Sequence, residues 1–307
     1  MAKKKDLGLG DNFQENEKRL FNKDGSFNVK KTGVLRGLRD IYVHLTEISW
    51  TQFILILFGS YFFLNVIFAA IYYFIGVSNL KGATTGGELQ NFMSCLYFSS
   101  QTFTTVGYGT ISPTGIPVNL IASIEAMVGL LSFSLATGLL FGRFAKPNLK
   151  LKFSENILIS PYGKVTEKGL MFRITNRRDT NLLETSAQVI ATTSYQDKDG
   201  KLKREYSRLE LEISEIKMFP SLWTIVHPID DESIFAKHSL EELIKRNIEV
   251  LVMIKSHDES YGRAVYARTS YKGTEIIDNA KFKTSSLLNP EGELVLDIDS
   301  IGEFVEV

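Results

Sequence analysis

Thr105-Val106-Gly107-Tyr108-Gly109 lies between two long apolar stretches, and its reading decides the fold. In an ordinary strand the carbonyls alternate from side to side. Gly107 and Gly109 permit something else, because glycine takes positive φ at little steric cost. Successive peptide planes can then turn their oxygens the same way, and rings of such oxygens replace the hydration shell of a cation. In that arrangement Thr105 adds a side-chain oxygen at the inner end, while Val106 and Tyr108 point away and brace the loop against helices. Tyr108 suits that position, with a ring that packs and a hydroxyl that finds a partner. The competing reading is a glycine-rich turn between two helices, and the flanking sequence argues against it.

Upstream, the run from Trp50 to Ile75 contains no charged residue. It exceeds the roughly 20 residues a helix needs to cross a bilayer. Trp50, Tyr72 and Tyr73 stand where interfacial aromatics belong. Downstream, a second span is expected over about 118–144, with one acid inside it, Glu125, and Pro117 and Pro147 as punctuation. Glu125 is costly in lipid and is expected to face protein near the pore helix, as bracing. Arg36, Arg39, Arg143, Lys146, Lys150 and Lys152 flank the outer ends of the spans, whereas the connection carries only Lys81 and Glu88. By the positive-inside rule both termini are cytoplasmic and the glycine loop faces the other side. The N-terminal lysines are followed by no apolar core, which argues against a cleaved signal peptide.

Between the spans, ELQNFMSCLYFSSQTF reads as a re-entrant helix over about 88–103. Non-helical backbone at membrane depth requires surrounding protein or water, which a ring of chains around a pore provides. A single chain with two spans and one such loop closes no ring, so a homotetramer of cyclic symmetry is expected. Before the first span, apolar Val34, Leu35, Leu38, Ile41, Tyr42, Leu45 and Ile48 oppose Arg36, Arg39, Asp40, His44 and Glu47, the pattern of a helix lying in the membrane interface. The polar residues before it lack periodicity and read as extended or disordered.

From Leu149 onward the chain becomes a series of short segments rich in Val, Ile, Thr and Tyr, separated by turn residues such as Asp199-Gly200. A β-sandwich of immunoglobulin-like type accommodates them. One helix is expected in HSLEELIKRN, where Ser239 and Glu242 have capping-box spacing. The expected organisation is a polar segment (1–31), an interfacial helix (32–49), a transmembrane pore domain (50–147, with pore helix and filter over 88–109) and a cytoplasmic sandwich (148–307). A net charge of zero gives no support for nucleic-acid binding. Cys95 is the only cysteine, and His44, His227, His238 and His257 show no metal-ligand spacing. No nucleophile-base arrangement or phosphate loop stands out, so no enzyme is expected.

The five-residue loop is the filter string of potassium channels. With DIYVHLTEISW before the first span, GRFAKP after the second, and LWTIVHPID and YARTSY beyond, the chain resembles the prokaryotic inward-rectifier potassium channels of the KirBac type from about Thr32 to Phe282. The resemblance implies a bacterial inner-membrane channel with potassium as permeant ion at Thr105 to Gly109 and no cofactor. It implies a pore-lining stripe of Gly129, Phe133, Thr137 and Phe141, with Phe141 as the bundle-crossing gate and Gly129 and Gly138 as hinges. It further implies a cytoplasmic apical loop at Gly262, Arg263, Ala264, Val265, Tyr266 and Ala267, and an anionic-lipid site at Arg143, Lys146, Lys150 and Lys152. Two departures stand out: Gln101 and Ile111 replace the family's charged filter brace, leaving neutral support such as the Gln101 amide. Phe133 replaces the acid that holds cationic blockers. A weakly selective cation channel and a membrane-tethered ligand-binding module are the alternatives.

Overall fold

The computed structural model describes residues 19–28, 37–145, 149–163, 166–197 and 199–307. The chain divides into two compact units, Gly33–Lys146 and a second formed by Met1–Thr32 with Pro147–Val307.

The first unit is helical. Helix α1 (Leu38–Glu47) opens with the Asp40 carboxylate accepting from the Gly37 amide at 2.7 Å. Val34, Leu35 and Arg36 of the expected interfacial helix lie outside the described residues. Ser49 then breaks the run and caps α2 (Trp50–Ile75) in a reciprocal box with Gln52. Helix α3 (Glu88–Phe103) is the re-entrant segment, flanked by β1 (Leu80–Lys81) and β2 (Ser112–Pro113), which pair antiparallel. Helix α4 (Ile116–Phe144) starts two residues before the expected Val118, because Pro117 fits the first turn of a helix and opens it. Both α2 and α4 are long and apolar enough to cross a membrane. Ala69, Tyr72, Cys95, Phe98, Val118 and Ala122 bind α2, α3 and α4 into one core.

The second unit is β-rich. Its strands run β3 (Leu151–Phe153), β4 (Ile157–Pro161), β5 (Lys168–Asn176), β6 (Leu182–Gln196), β7 (Leu202–Leu209), β8 (Glu215–Met218) and β9 (Trp223–Pro228). After α5 (Ile234–Lys237) and α6 (Leu240–Lys245) come β10 (Glu249–Asp258), β11 (Arg263–Lys272), β12 (Ile276–Asp278) and β13 (Ala280–Phe282). The short β14 (Ser286–Leu288), β15 (Leu294–Leu296) and β16 (Phe304–Glu306) close the chain, β14 pairing β15 and β13 pairing β16. One sheet runs β11-β10-β6-β7, with β8 on β6; the other runs β12-β4-β5-β3, with β9 on β5. Alternate residues Val250, Val252 and Ile254 from the first sheet meet Leu170, Phe172, Ile174 and Ile225 from the second in a common core, as in a face-to-face sandwich. The Ser239–Glu242 box caps α6 as expected.

Residues 19–28 differ from the extended reading. They form a small turn, closed by a Phe21–Phe27 bridge and seated on the same unit. Ser270 donates to the Phe21 carbonyl at 2.7 Å, and Arg19 and Lys23 pair with Glu275. Against the opposing effect of burial, the Lys272 amide, Arg19 and Lys23 hold the Glu275 carboxyl below its ordinary range.

Candidate functional site

The glycine loop begins where α3 ends. The Thr104 hydroxyl turns back onto the Ser100 carbonyl at 2.8 Å, the Thr105 amide donates to Thr102 at 3.0 Å, and the Gly107 amide to the Gln101 carbonyl at 3.1 Å. Positive φ then recurs at every second residue: 59° at Thr105, 51° at Gly107 and 78° at Gly109. A positive φ at every second residue breaks the alternation that strand carbonyls show and lets successive peptide dipoles align. This is the geometry the glycines promised, with one addition. Thr105, β-branched, also sits at positive φ, a conformation costing about 1–3 kcal/mol that persists only where the surroundings impose it.

The outer end is held by short contacts. The Thr114 amide and hydroxyl both donate to the Asn79 carbonyl at 2.8 Å, and Gly82 leaves room for the Thr110 carbonyl, which an added Cβ would approach to 1.9 Å. Within one chain, Val106 and Tyr108 are exposed.

Behind the loop lies a buried polar group. The Glu125 carboxyl has no exposed surface; it accepts from the Tyr72 hydroxyl at 2.6 Å and from the Ser99 hydroxyl at 2.5 Å. It thus faces the pore helix, as its cost in lipid requires. Within the single chain, the Gly107 amide is held by the Gln101 main-chain carbonyl, and no hydrogen bond of the Gln101 side-chain amide to the loop is found among the described residues. Below the loop, Leu57, Phe58 and Tyr61 of α2, Gly129, Phe133 and Thr137 of α4, and Phe103 to Thr105 line an open groove of about 650 Å³ on the single chain. Phe133 and Phe141 are each 73% exposed within the single chain.

Residues 151–307 match the family model for the inward rectifier potassium channel C-terminal domain, and residues 60–146 match the ion channel model. The inward rectifier potassium channel Kirbac3.1 of Paramagnetospirillum magnetotacticum is 32% identical over 94% of this chain and 95% of its own length. The chain belongs to the inward rectifier potassium channel family. More distant members include the inward rectifier potassium channel irk-1 of Caenorhabditis elegans, 26% identical over 92% of this chain and 56% of that protein. The G protein-activated inward rectifier potassium channel 4 of Bos taurus is 27% identical over 86% of this chain and 67% of its own. The family is one of ion channels, not a class of enzymes.

One family-implied assignment in this inward rectifier needs correction, the apical loop, and the other positions lie as follows. Gly129 is buried, and its missing Cβ makes room for the Phe103 carbonyl, which a side chain would approach to 1.9 Å. It serves helix contact as well as the groove wall, and α4 runs through Gly129 and Gly138 without interruption. Only Gly262 of the expected apical loop lies in a turn. Its φ is 59°, and Asp258 accepts from the Ser260 and Tyr261 amides just before it. Arg263 to Ala267 are strand residues of β11, paired in register with β10 from Asp258 to Ile254, because their alternating pattern satisfies a ladder. The proposed lipid cations do not form a free set. Arg143 donates inward to the carbonyls of Leu45 (2.6 Å) and Ile48 (2.8 Å) and lies 4.6 Å over the rings of Trp50 and Phe53. Lys152 pairs with Asp299 at 2.6 Å, Lys150 is exposed, and Lys146 lies outside the described residues.

The Arg143 contact was not anticipated. The sequence signal for it is a lone arginine in the last turn of a helix, with unpaired carbonyls at the end of another helix as its acceptors.

Proposed function

We propose that four copies of the chain enclose a passive, potassium-selective pore in a bacterial inner membrane, with both termini and the sandwich on the cytoplasmic side. The observation that carries this reading is the recurrence of positive φ at Thr105, Gly107 and Gly109, which lets consecutive carbonyls turn toward one side of the loop. Four such loops about an axis offer stacked oxygen rings, and ions pass by multi-site occupancy down their gradient. The exposed Val106 and Tyr108 side chains are then covered by neighbouring chains. Phe133, Thr137 and Phe141 face the path below, and Phe141 forms the constriction at the cytoplasmic end, where apolar side chains gate by excluding water. With Phe133 in place of an acid, organic and divalent cations find no charge partner in the cavity, so rectification by cavity block is weak. Potassium is the permeant ion, and the reading requires neither a cofactor nor a covalent step. Arg143 ties the interfacial helix to the gate-bearing end of α4, so lipid control would act through the position of α1.

A second reading, a weakly selective cation pore, draws on Gln101, which is neutral where the family's charged filter brace stands. Reconstitution into liposomes separates the two. Uptake of potassium or rubidium that greatly exceeds sodium, is blocked by barium and vanishes in Gly107→Asp is the expected result. Equal sodium uptake would support the second reading, and no uptake in any lipid would reject both.

A further inference from the structure

The filter's inner half has no covalent or ionic anchor of its own among the described residues. Its amides at Thr105 and Gly107 hang on the carbonyls of Thr102 and Gln101, which belong to the last turn of α3. The position of that turn therefore sets the position of the coordinating oxygens. What fixes the turn is a set of side-chain ties from the two spans. The Ser99 hydroxyl donates to Glu125 of α4 at 2.5 Å and lies 3.1 Å from the Asn65 carbonyl of α2. Ser100 meets the Tyr61 hydroxyl of α2 at 2.8 Å. The second oxygen of Glu125 takes the Tyr72 hydroxyl of α2 at 2.6 Å, so this one carboxyl joins all three helices. One turn further along α4, Gly129 lets the Phe103 carbonyl approach closely.

Glu125 is fully buried and forms no ion pair among the described residues. If packing alone were needed, leucine would fill the space without the desolvation a carboxyl suffers. A carboxyl offers what leucine does not: two acceptor atoms that fix the direction and spacing of two hydroxyl donors. We infer that Glu125 is a positioning residue for ion selectivity, tying the end of the pore helix to both spans two residues from the carbonyl that holds Gly107. The inference rests on the potassium-conducting reading above.

The test compares potassium and sodium uptake by the full-length tetramer in liposomes, for wild type, Glu125→Leu, Glu125→Gln, Ser99→Ala, Tyr72→Phe and the double variant Ser99→Ala/Glu125→Leu. Wild-type protein without potassium-selective uptake rejects the conduction reading before any variant is compared. Given selective wild type, Glu125→Leu is expected to lower the potassium-to-sodium ratio about tenfold, the size expected when a buried hydrogen-bonding group loses its partner. Glu125→Gln is expected to keep the ratio, because an amide can accept from one hydroxyl and donate to the other. Ser99→Ala is expected to lower the ratio by itself and to add nothing in the Glu125→Leu background. An assembled Glu125→Leu tetramer with the wild-type ratio would overturn the inference, as would a glutamine variant no better than leucine. Should Glu125→Leu fail to assemble, unchanged ratios in both Ser99→Ala and Tyr72→Phe overturn it equally.

Discussion

Gly129 and Gly138 look alike in the sequence, two glycines in one apolar span, yet their surroundings differ completely. At Gly138 nothing lies within 4 Å of the place a Cβ would occupy, whereas at Gly129 the Phe103 carbonyl oxygen would be 1.9 Å away. That contact involves backbone, which has no rotamer with which to retreat. Gly129→Ala must therefore push α4 away from the end of α3, at an overpacking cost of about 1–3 kcal/mol. We expect a clearly lowered melting temperature of the detergent-solubilised protein for Gly129→Ala and little change for Gly138→Ala. Equal melting of the two would disprove the close-approach account. Gly107 and Gly109 announced positive φ through their composition, but Thr105 gave no such sign. Its φ of 59° follows from hydrogen bonds to the preceding helical turn, which a string of letters does not display.

At the scale of elements, the spans, the re-entrant helix and the strands were legible because each is written in hydrophobic periodicity or composition. What escaped was the use of ends. Arg143 looked like a surface cation at a membrane boundary, but its guanidinium turns back to unpaired carbonyls at the end of α1 and stacks on Trp50 and Phe53. The segment Arg263 to Ala267 looked like a loop through its small residues, yet its register with β10 makes it strand. A comparable junction joins β9 to α5. His227 is buried in β9; its Nδ1 donates to the Glu210 carbonyl at 2.6 Å and its Nε2 accepts from Ser233, the cap of α5, at 2.8 Å. Burial pushes the imidazole pKa below its ordinary value, outweighing Glu210 and Asp230, which act in the opposite direction. Protonation is thus easier in the unfolded chain. The stability contribution is intact above about pH 6.5 and is lost as pH falls through the lower folded value. Amide exchange in β9 and α5, corrected for intrinsic rates, should accelerate between about pH 7 and 5 in wild type. It should become nearly independent of pH in His227→Gln; an equally steep acceleration in that variant would remove His227 as the cause.

For the whole molecule, the decisive quantity is apolar surface that a single chain leaves uncovered. Leu130, Leu131, Phe133, Leu135, Phe141 and Phe144 of α4 are all more than half exposed, and Val106 and Tyr108 of the filter are exposed as well. By the tetrameric reading proposed above, lipid covers one side of α4 and other chains surround the filter. These two environments assign different fates to positions that look equally bare. Residue 141 belongs to the inner face by the tetrameric reading, whereas Leu135, 6 positions away and about 120° round a 3.6-residue helix, belongs to the outer one. The chain has a single native cysteine, Cys95, buried in the pore helix, so Cys95→Ala gives a background free of thiols. In that background, Phe141→Cys should place four thiols around a narrow axis, where one cadmium ion can bridge several of them. Cadmium added from the cytoplasmic side should then block potassium uptake, and a chelator should restore it, while Leu135→Cys should be insensitive. If the two positions respond alike, or if cadmium leaves Phe141→Cys untouched in an otherwise active tetramer, Phe141 faces lipid or a neighbouring helix and the constriction must be sought elsewhere on α4.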